Sequence, residues 1–110
     1  MYDLNFTEEQ LQLRKTARDF ARSKIAPVAG QLDEEGHFPA ELLKEGWNLG
    51  LMNCEVPEEF GGLGLSCLSH CMILEEIAWA CAGVNTSMAA NALGSLPIMI
   101  AGTREQKEKY

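Results

Sequence analysis

Ile77–Thr103 reads IAWACAGVNTSMAANALGSLPIMIAGT, twenty-seven residues between Glu76 and Arg104 without a single charge. How this stretch is disposed decides the fold. It is long enough to cross a bilayer, which takes roughly 20 apolar residues, but its content argues against a span. Asn85, Thr86, Ser87, Asn91 and Ser95 are polar, and Gly83, Gly94 and Pro97 interrupt it. Its flanks also lack the Lys and Arg excess that orients a membrane helix. A pair of buried helices is the plainer reading. Gly83 ends the first, and the second runs from about Val84 to Leu93. A short helical turn over Leu96 to Ile100 follows, set apart by Gly94 and Pro97.

The cluster Asn85, Thr86, Ser87 constrains this hairpin. Buried amides and hydroxyls cost about 1–3 kcal/mol each when unpaired, so these three must cap the helix, bond a neighbouring segment or face a cavity. Thr86, Ala89 and Leu93 are spaced by three and four and share one helix face, with Asn85 beside them. A small, apolar face with few polar groups is what an acyl-chain slot requires. Ordinary core packing gives the same spacing, and spacing alone does not separate the two.

Working outward, Ser66 is the expected N-cap of a helix over 66–82. Its only charges are Glu75 and Glu76, and Leu68, Met72 and Trp79 are expected to pack it on most sides. Before it, NCEVPEEFGGLG (residues 53–64) is a Pro- and Gly-rich loop. Its glycines lack the GxGxxG spacing, the preceding strand and the following Lys of a phosphate cradle, which leaves a tight turn. Pro39 suits the first turn of a helix packing through Leu42, Leu43, Trp47 and Leu49 and closed by Gly50. Thr7-Glu8-Glu9-Gln10 is a capping box. Leu13, Ala17, Phe20, Ala21 and Ile25 follow as one apolar stripe. Pro27 predicts a kink, yet Val28 and Leu32 keep the register, and Gly36–Pro39 ends the element. Thr103-Arg104-Glu105-Gln106 is a second capping box. Fewer than two turns follow it, a poor place for a natural domain to stop, so residues 1–110 read as a truncated all-α domain of about four to six helices.

Composition narrows the function. A net charge of -7 repels nucleic-acid backbones. With 46% apolar and 23% charged residues, the chain can build a core and is not a disordered one. MYDLNFTEEQ has neither the basic n-region nor the apolar core of a secretory signal, and it lacks the Arg- and Ser-rich character of a transit peptide. The expectation is a bacterial cytoplasmic protein, or a mature mitochondrial-matrix protein if eukaryotic. Cys67 and Cys71 share a helix face with His70 nearby, a pattern that suggests metal. No CxxC occurs, however, and His37 is remote. Cys54, Cys67, Cys71 and Cys81 are therefore expected to be small buried hydrophobes in a reducing compartment.

Several stretches, taken in order, resemble the acyl-CoA dehydrogenase family. Gly50-Leu51-Met52-Asn53 and Val56-Pro57-Glu58-Glu59-Phe60-Gly61-Gly62-Leu63-Gly64-Leu65 are similar to its loop region. Glu75-Glu76-Ile77-Ala78 and Gly83-Val84-Asn85-Thr86 are similar to the helix pair after it. Asn91-Ala92-Leu93-Gly94, Leu96-Pro97-Ile98-Met99-Ile100-Ala101-Gly102 and Gln106-Lys107-Glu108-Lys109-Tyr110 complete the match, which runs from Phe6 to the end and leans to the medium-chain, straight-chain branch.

The resemblance implies a larger flavoenzyme with an N-terminal helical domain, a β-sandwich-like middle domain and a C-terminal helical bundle. It implies removal of an α-proton from an acyl-CoA, transfer of a β-hydride to FAD, and a trans-2-enoyl-CoA product. The base and the main flavin contacts of the family lie in the other domains, so no catalytic, flavin-binding or metal residue is expected here. Glu58, Glu59, Glu75 and Glu76 are read as solvated surface carboxylates, and the isolated chain is expected to be inactive. By position, Asn85, Thr86, Ala89 and Leu93 match the acyl-tunnel lining. Ala89 departs from relatives that carry a larger acidic side chain there, which implies a deeper slot. Leu13, Leu51, Leu63, Leu65 and Ile73 match a docking surface for electron-transferring flavoprotein, and the intact enzyme is expected to be a homo-oligomer. An acyl-CoA oxidase on the same scaffold and a non-catalytic helical interaction module are the alternatives.

Overall fold

The structure is a computed structural model and describes residues 5–110; residues 1–4, part of the stretch read for a leader, lie outside the described residues. Six α-helices run in order: α1 (Glu8–Phe20), α2 (Ala29–Glu35), α3 (Ala40–Asn48), α4 (Cys67–Ala80), α5 (Ala82–Ala101) and α6 (Arg104–Lys109). No strand occurs among the described residues.

Both capping boxes form. The Thr7 hydroxyl accepts from the Gln10 backbone N–H at 3.2 Å while Gln10 Oε1 accepts from the Thr7 N–H at 3.0 Å. Thr103 and Gln106 repeat the exchange at the start of α6. Ser66 caps α4 by accepting from the Ser69 N–H. In place of the expected kinked continuation, a turn over residues 26–28 interrupts the helix at Pro27. A π-helical turn, Ala21–Ile25, follows α1, with the Ala26 N–H bonded to the Ala21 carbonyl. The wider turn gives the proline ring room, and the missing donor falls at the junction between helical segments. Gly36 then stops α2 at φ +59°, a left-handed cap that suits glycine.

Helix α4 is the central element, packed on α1 and on α5. Ile73 and Ile77 of α4 are sealed against Ala17, Phe20, Ala21 and Ile25 from the first helical segment and Val84 and Met88 from α5. Leu51 and Cys54 close the core from the loop. That loop folds on itself through bonds from the Leu63 N–H to the Asn53 carbonyl and from the Leu65 N–H to the Cys54 carbonyl. Gly62 is needed there, because a Cβ would collide with the Val56 carbonyl oxygen.

Three expectations need correction. Trp47 and Leu49 are 51% and 43% exposed, because the short α3 turns Leu42, Leu43 and Gly46 to the core. Leu68 and Trp79 of α4 are also exposed, with Trp79 covered on one side by the Arg22 guanidinium 5.4 Å from its ring. Finally, Gly94 and Pro97 do not break α5, which runs through both. Leu93 and Pro97 are exposed, so the carbonyl that Pro97 deprives of a donor sits where water serves it.

Candidate functional site: an apolar trough along α4 and α5

Because α5 is continuous, its i, i+3, i+4 face extends further than Leu93. Ala89, Ala92, Leu93, Leu96, Pro97, Ile100 and Ala101 line one side of a trough of about 670 Å³; α4 contributes His70 and Leu74, and the loop contributes Glu55. Leu93 is 73% and Ile100 77% exposed, so this apolar face is open rather than packed. Its wall is carbon except for one couple. His70 Nδ1 lies 3.1 Å from Glu55 Oε2, with 13% and 25% of the two side chains exposed.

Of the four substrate-wall residues expected from the sequence, Ala89 and Leu93 line the trough, whereas Asn85 and Thr86 do not. The polar cluster resolves by local bonding. Thr86 donates its hydroxyl to the Ala82 carbonyl at 2.9 Å, and Ser87 donates to that of Gly83 at 3.1 Å. Asn85 Oδ1 is buried with no hydrogen-bond partner among the described residues. Thr86 shares the helical face of Ala89 but sits one turn short of the trough.

The five docking positions also divide. Leu63 is exposed, and Leu13 and Leu65 are half-buried. Leu51 and Ile73, expected at that surface, are instead 2% and 0% exposed and belong to the core. Both belong to the core cluster that joins the first helical segment, α4 and α5.

Two further expectations change. Cys54 is buried, and its thiol is pushed up to about 11, chiefly by burial. Cys67 and Cys71 are exposed rather than buried; the Cys67 thiol is raised first by its hydrogen bond to Cys71 and then by Glu55. Glu76 is not a solvated carboxylate either. Its side chain is 8% exposed and is held by Arg14 Nε at 2.8 Å and by Arg18 Nη2 and Nε at 2.6 and 2.8 Å. Arg18 above all, then Arg14, keeps its pKa below the usual carboxylate range against the opposing effect of burial. The signal was in the sequence: Arg14 and Arg18 are one turn apart on the same face of α1.

Comparison with known proteins agrees with this architecture. The family model for the acyl-CoA dehydrogenase N-terminal domain matches residues 7–110. A probable mitochondrial medium-chain specific acyl-CoA dehydrogenase of Caenorhabditis briggsae is 37% identical over 99% of this chain and 26% of its own length. The mitochondrial short-chain specific acyl-CoA dehydrogenase of Bos taurus is 42% identical over 94% of this chain and 25% of its own. A probable acyl-CoA dehydrogenase of Bacillus subtilis is 40% identical over 97% of this chain and 29% of its own. Among solved structures, butyryl-CoA dehydrogenase from Megasphaera elsdenii superposes with a TM-score of 0.90 at 35% identity, covering 99% of this chain and 30% of that one. A chain from a structural study of the electron transferring flavoprotein of Acidaminococcus fermentans gives 0.92 at 33% identity, covering 99% and 29%. The chain thus spans less than a third of the length of these relatives, some mitochondrial and some bacterial. On the family match and these identities together, the chain belongs to the acyl-CoA dehydrogenase family, as its N-terminal domain.

Proposed function

We propose that this domain supplies part of the acyl-chain slot of an enzyme that removes an α-proton and a β-hydride from an acyl-CoA thioester to give the trans-2-enoyl-CoA. The observation that carries this reading is the open, carbon-walled trough with Ala89 and Leu93 in its lining. An alkyl tail laid there leaves water for an apolar wall, worth about 0.8 kcal/mol per buried methylene. That energy holds the thioester end in register for chemistry performed by other parts of the enzyme.

The trough does not fit the flavin itself. None of its lining residues is Lys or Arg, so nothing there meets a dinucleotide diphosphate, and Glu55 opposes one. FAD, the hydride acceptor that family membership implies, is not held by this trough. What the chain's own residues do is hold and orient the tail. Asn85 and Thr86 remain proposed substrate-wall residues next to the trough, with the buried, unpartnered Asn85 Oδ1 the group most in need of a donor.

Ala89 sets the depth. A carboxylate in its place would intrude on the slot and place a charge on a carbon wall. Ala89→Glu in the full-length enzyme is expected to shift the kcat/KM profile over acyl-CoAs of increasing length toward shorter chains. A superimposable profile would refute the slot.

A second role is favoured by Leu63, an exposed leucine on a loop fixed by backbone bonds, with Leu13 and Leu65 half-buried. These three are proposed to receive electron-transferring flavoprotein, supported from below by Leu51 and Ile73. Leu63→Ala is expected to slow reduction of that partner severalfold while sparing reduction of an artificial dye. Equal losses with both acceptors would rule docking out.

A further inference from the structure

Cys67 and Cys71 stand four residues apart on α4, both exposed and neither in a disulfide. Helical geometry puts them one above the other on one face, with Cβ atoms about 5–6 Å apart. Their sulfurs meet: the two thiols are hydrogen-bonded to each other, and the Cys67 thiol also donates to the Glu55 carboxylate. The spacing decides what such a pair can hold. A direct S–S bond needs Cβ atoms roughly 3.5–4.5 Å apart, so a disulfide would have to deform the turn that Ser66 caps. Zinc takes a full tetrahedral set of ligands, and among the described residues no group of three or more His, Cys, Asp or Glu comes together to hold a metal ion. A single soft atom between the two sulfurs lengthens the link by one bond and fits the undistorted helix.

We propose that Cys67 and Cys71 form a chelating dithiol site for trivalent arsenic compounds, in which one arsenic atom bridges the two sulfurs on the surface of α4. With a monosubstituted arsine oxide, the two S–H bonds and the As=O bond break and two As–S bonds form. Both thiol protons leave with the oxygen as water. Arsenic stays trivalent and neither sulfur changes oxidation state, so no oxidant or reductant is consumed. The hydrogen bonds that keep the Cys67 thiol protonated slow reagents that need a thiolate, whereas this condensation carries both protons away. Closing the second As–S bond is intramolecular on a rigid helix, so the bridged adduct outlasts one held by a single sulfur. The site stands whether or not the trough takes an acyl chain.

The test treats the reduced full-length enzyme with phenylarsine oxide, beside its Cys67→Ser and Cys71→Ser variants. Both side chains are exposed, so serine at either position is expected to leave the fold intact, which circular dichroism checks. Mass spectrometry of the intact protein and of its peptides should find a phenylarsenic group joining Cys67 to Cys71 in the wild type. Excess monothiol should leave that group in place, and a dithiol should strip it. Each serine variant should hold it roughly 100-fold more weakly, read as the monothiol concentration that displaces half of it. Absence of any adduct on these two cysteines in the wild type overturns the proposal. An adduct there that monothiol removes as easily from the wild type as from the variants overturns it too, because the second sulfur then adds nothing.

Discussion

Helices α4 and α5 form one hairpin and are both apolar in sequence, yet their outward faces have opposite fates. The α1-facing side of α4 is sealed: Ile73 and Ile77 are fully buried, and the one carboxylate among them is clasped by two arginines. On α5, Val84 and Met88 are buried, but Leu93, Leu96 and Ile100 lie open along the trough. Near-equal hydrophobicity therefore supports two different tasks. One side holds the domain together; the other offers apolar surface to something else. Exposed contiguous apolar surface of this kind marks an interaction or ligand face rather than a defect.

The largest effect expected from this contrast is at Glu76. Glu76→Gln keeps the shape of the side chain but leaves the half-exposed Arg14 and Arg18 facing a buried neutral amide. With the carboxylate buried but both arginines in reach of water, the loss falls between that of a surface pair and that of a buried one, about 1–2 kcal/mol, read as a fall in the urea midpoint of unfolding. The same pair sets an acid limit. Because the folded pKa of Glu76 is lowered, its contribution is fully present above the unfolded value of about 4.3 and is lost as pH falls through the folded one. Wild type should therefore lose stability on acidification below that value more steeply than Glu76→Gln. Parallel acid limbs would place the stabilisation elsewhere.

The sequence was most legible where a local rule acts alone. Thr7, Ser66 and Thr103 cap as their side-chain chemistry requires, and the Ala17, Phe20, Ala21, Ile25 stripe is the stripe that is buried. Legibility failed where neighbours decide. Pro97 carries a strong local signal to stop a helix, but α5 passes through it on an exposed side, and reading a break there hid Leu96 and Ile100 as parts of the trough. Glu76 looked solvated because its arginines are about sixty positions away in sequence. Helical spacing put Ala89 and Leu93 on one face, and only the family resemblance pointed that face at an acyl chain; both line the trough. Glu55 and His70 were not legible, because the loop and α4 meet only in the folded chain.

The smallest effect expected is the most diagnostic for the open face. Ile100→Ala removes an aliphatic side chain that is 77% exposed near the end of α5. Little buried area is lost, and alanine has the better helix propensity by a few tenths of a kcal/mol. In this chain alone the change should move stability by less than about 0.5 kcal/mol. A buried isoleucine truncated the same way costs about 2–5 kcal/mol, so the urea midpoint separates the two cases cleanly. The measurement gains force when repeated on the full-length polypeptide. A cost that rises into the buried range there would mean that another segment covers this end of the trough. A cost that stays near zero, together with weaker binding of long-chain acyl-CoA, would mean that Ile100 meets the ligand and nothing else. A large loss in the isolated chain would contradict the open face itself, and with it the distinction between the two sides of the hairpin.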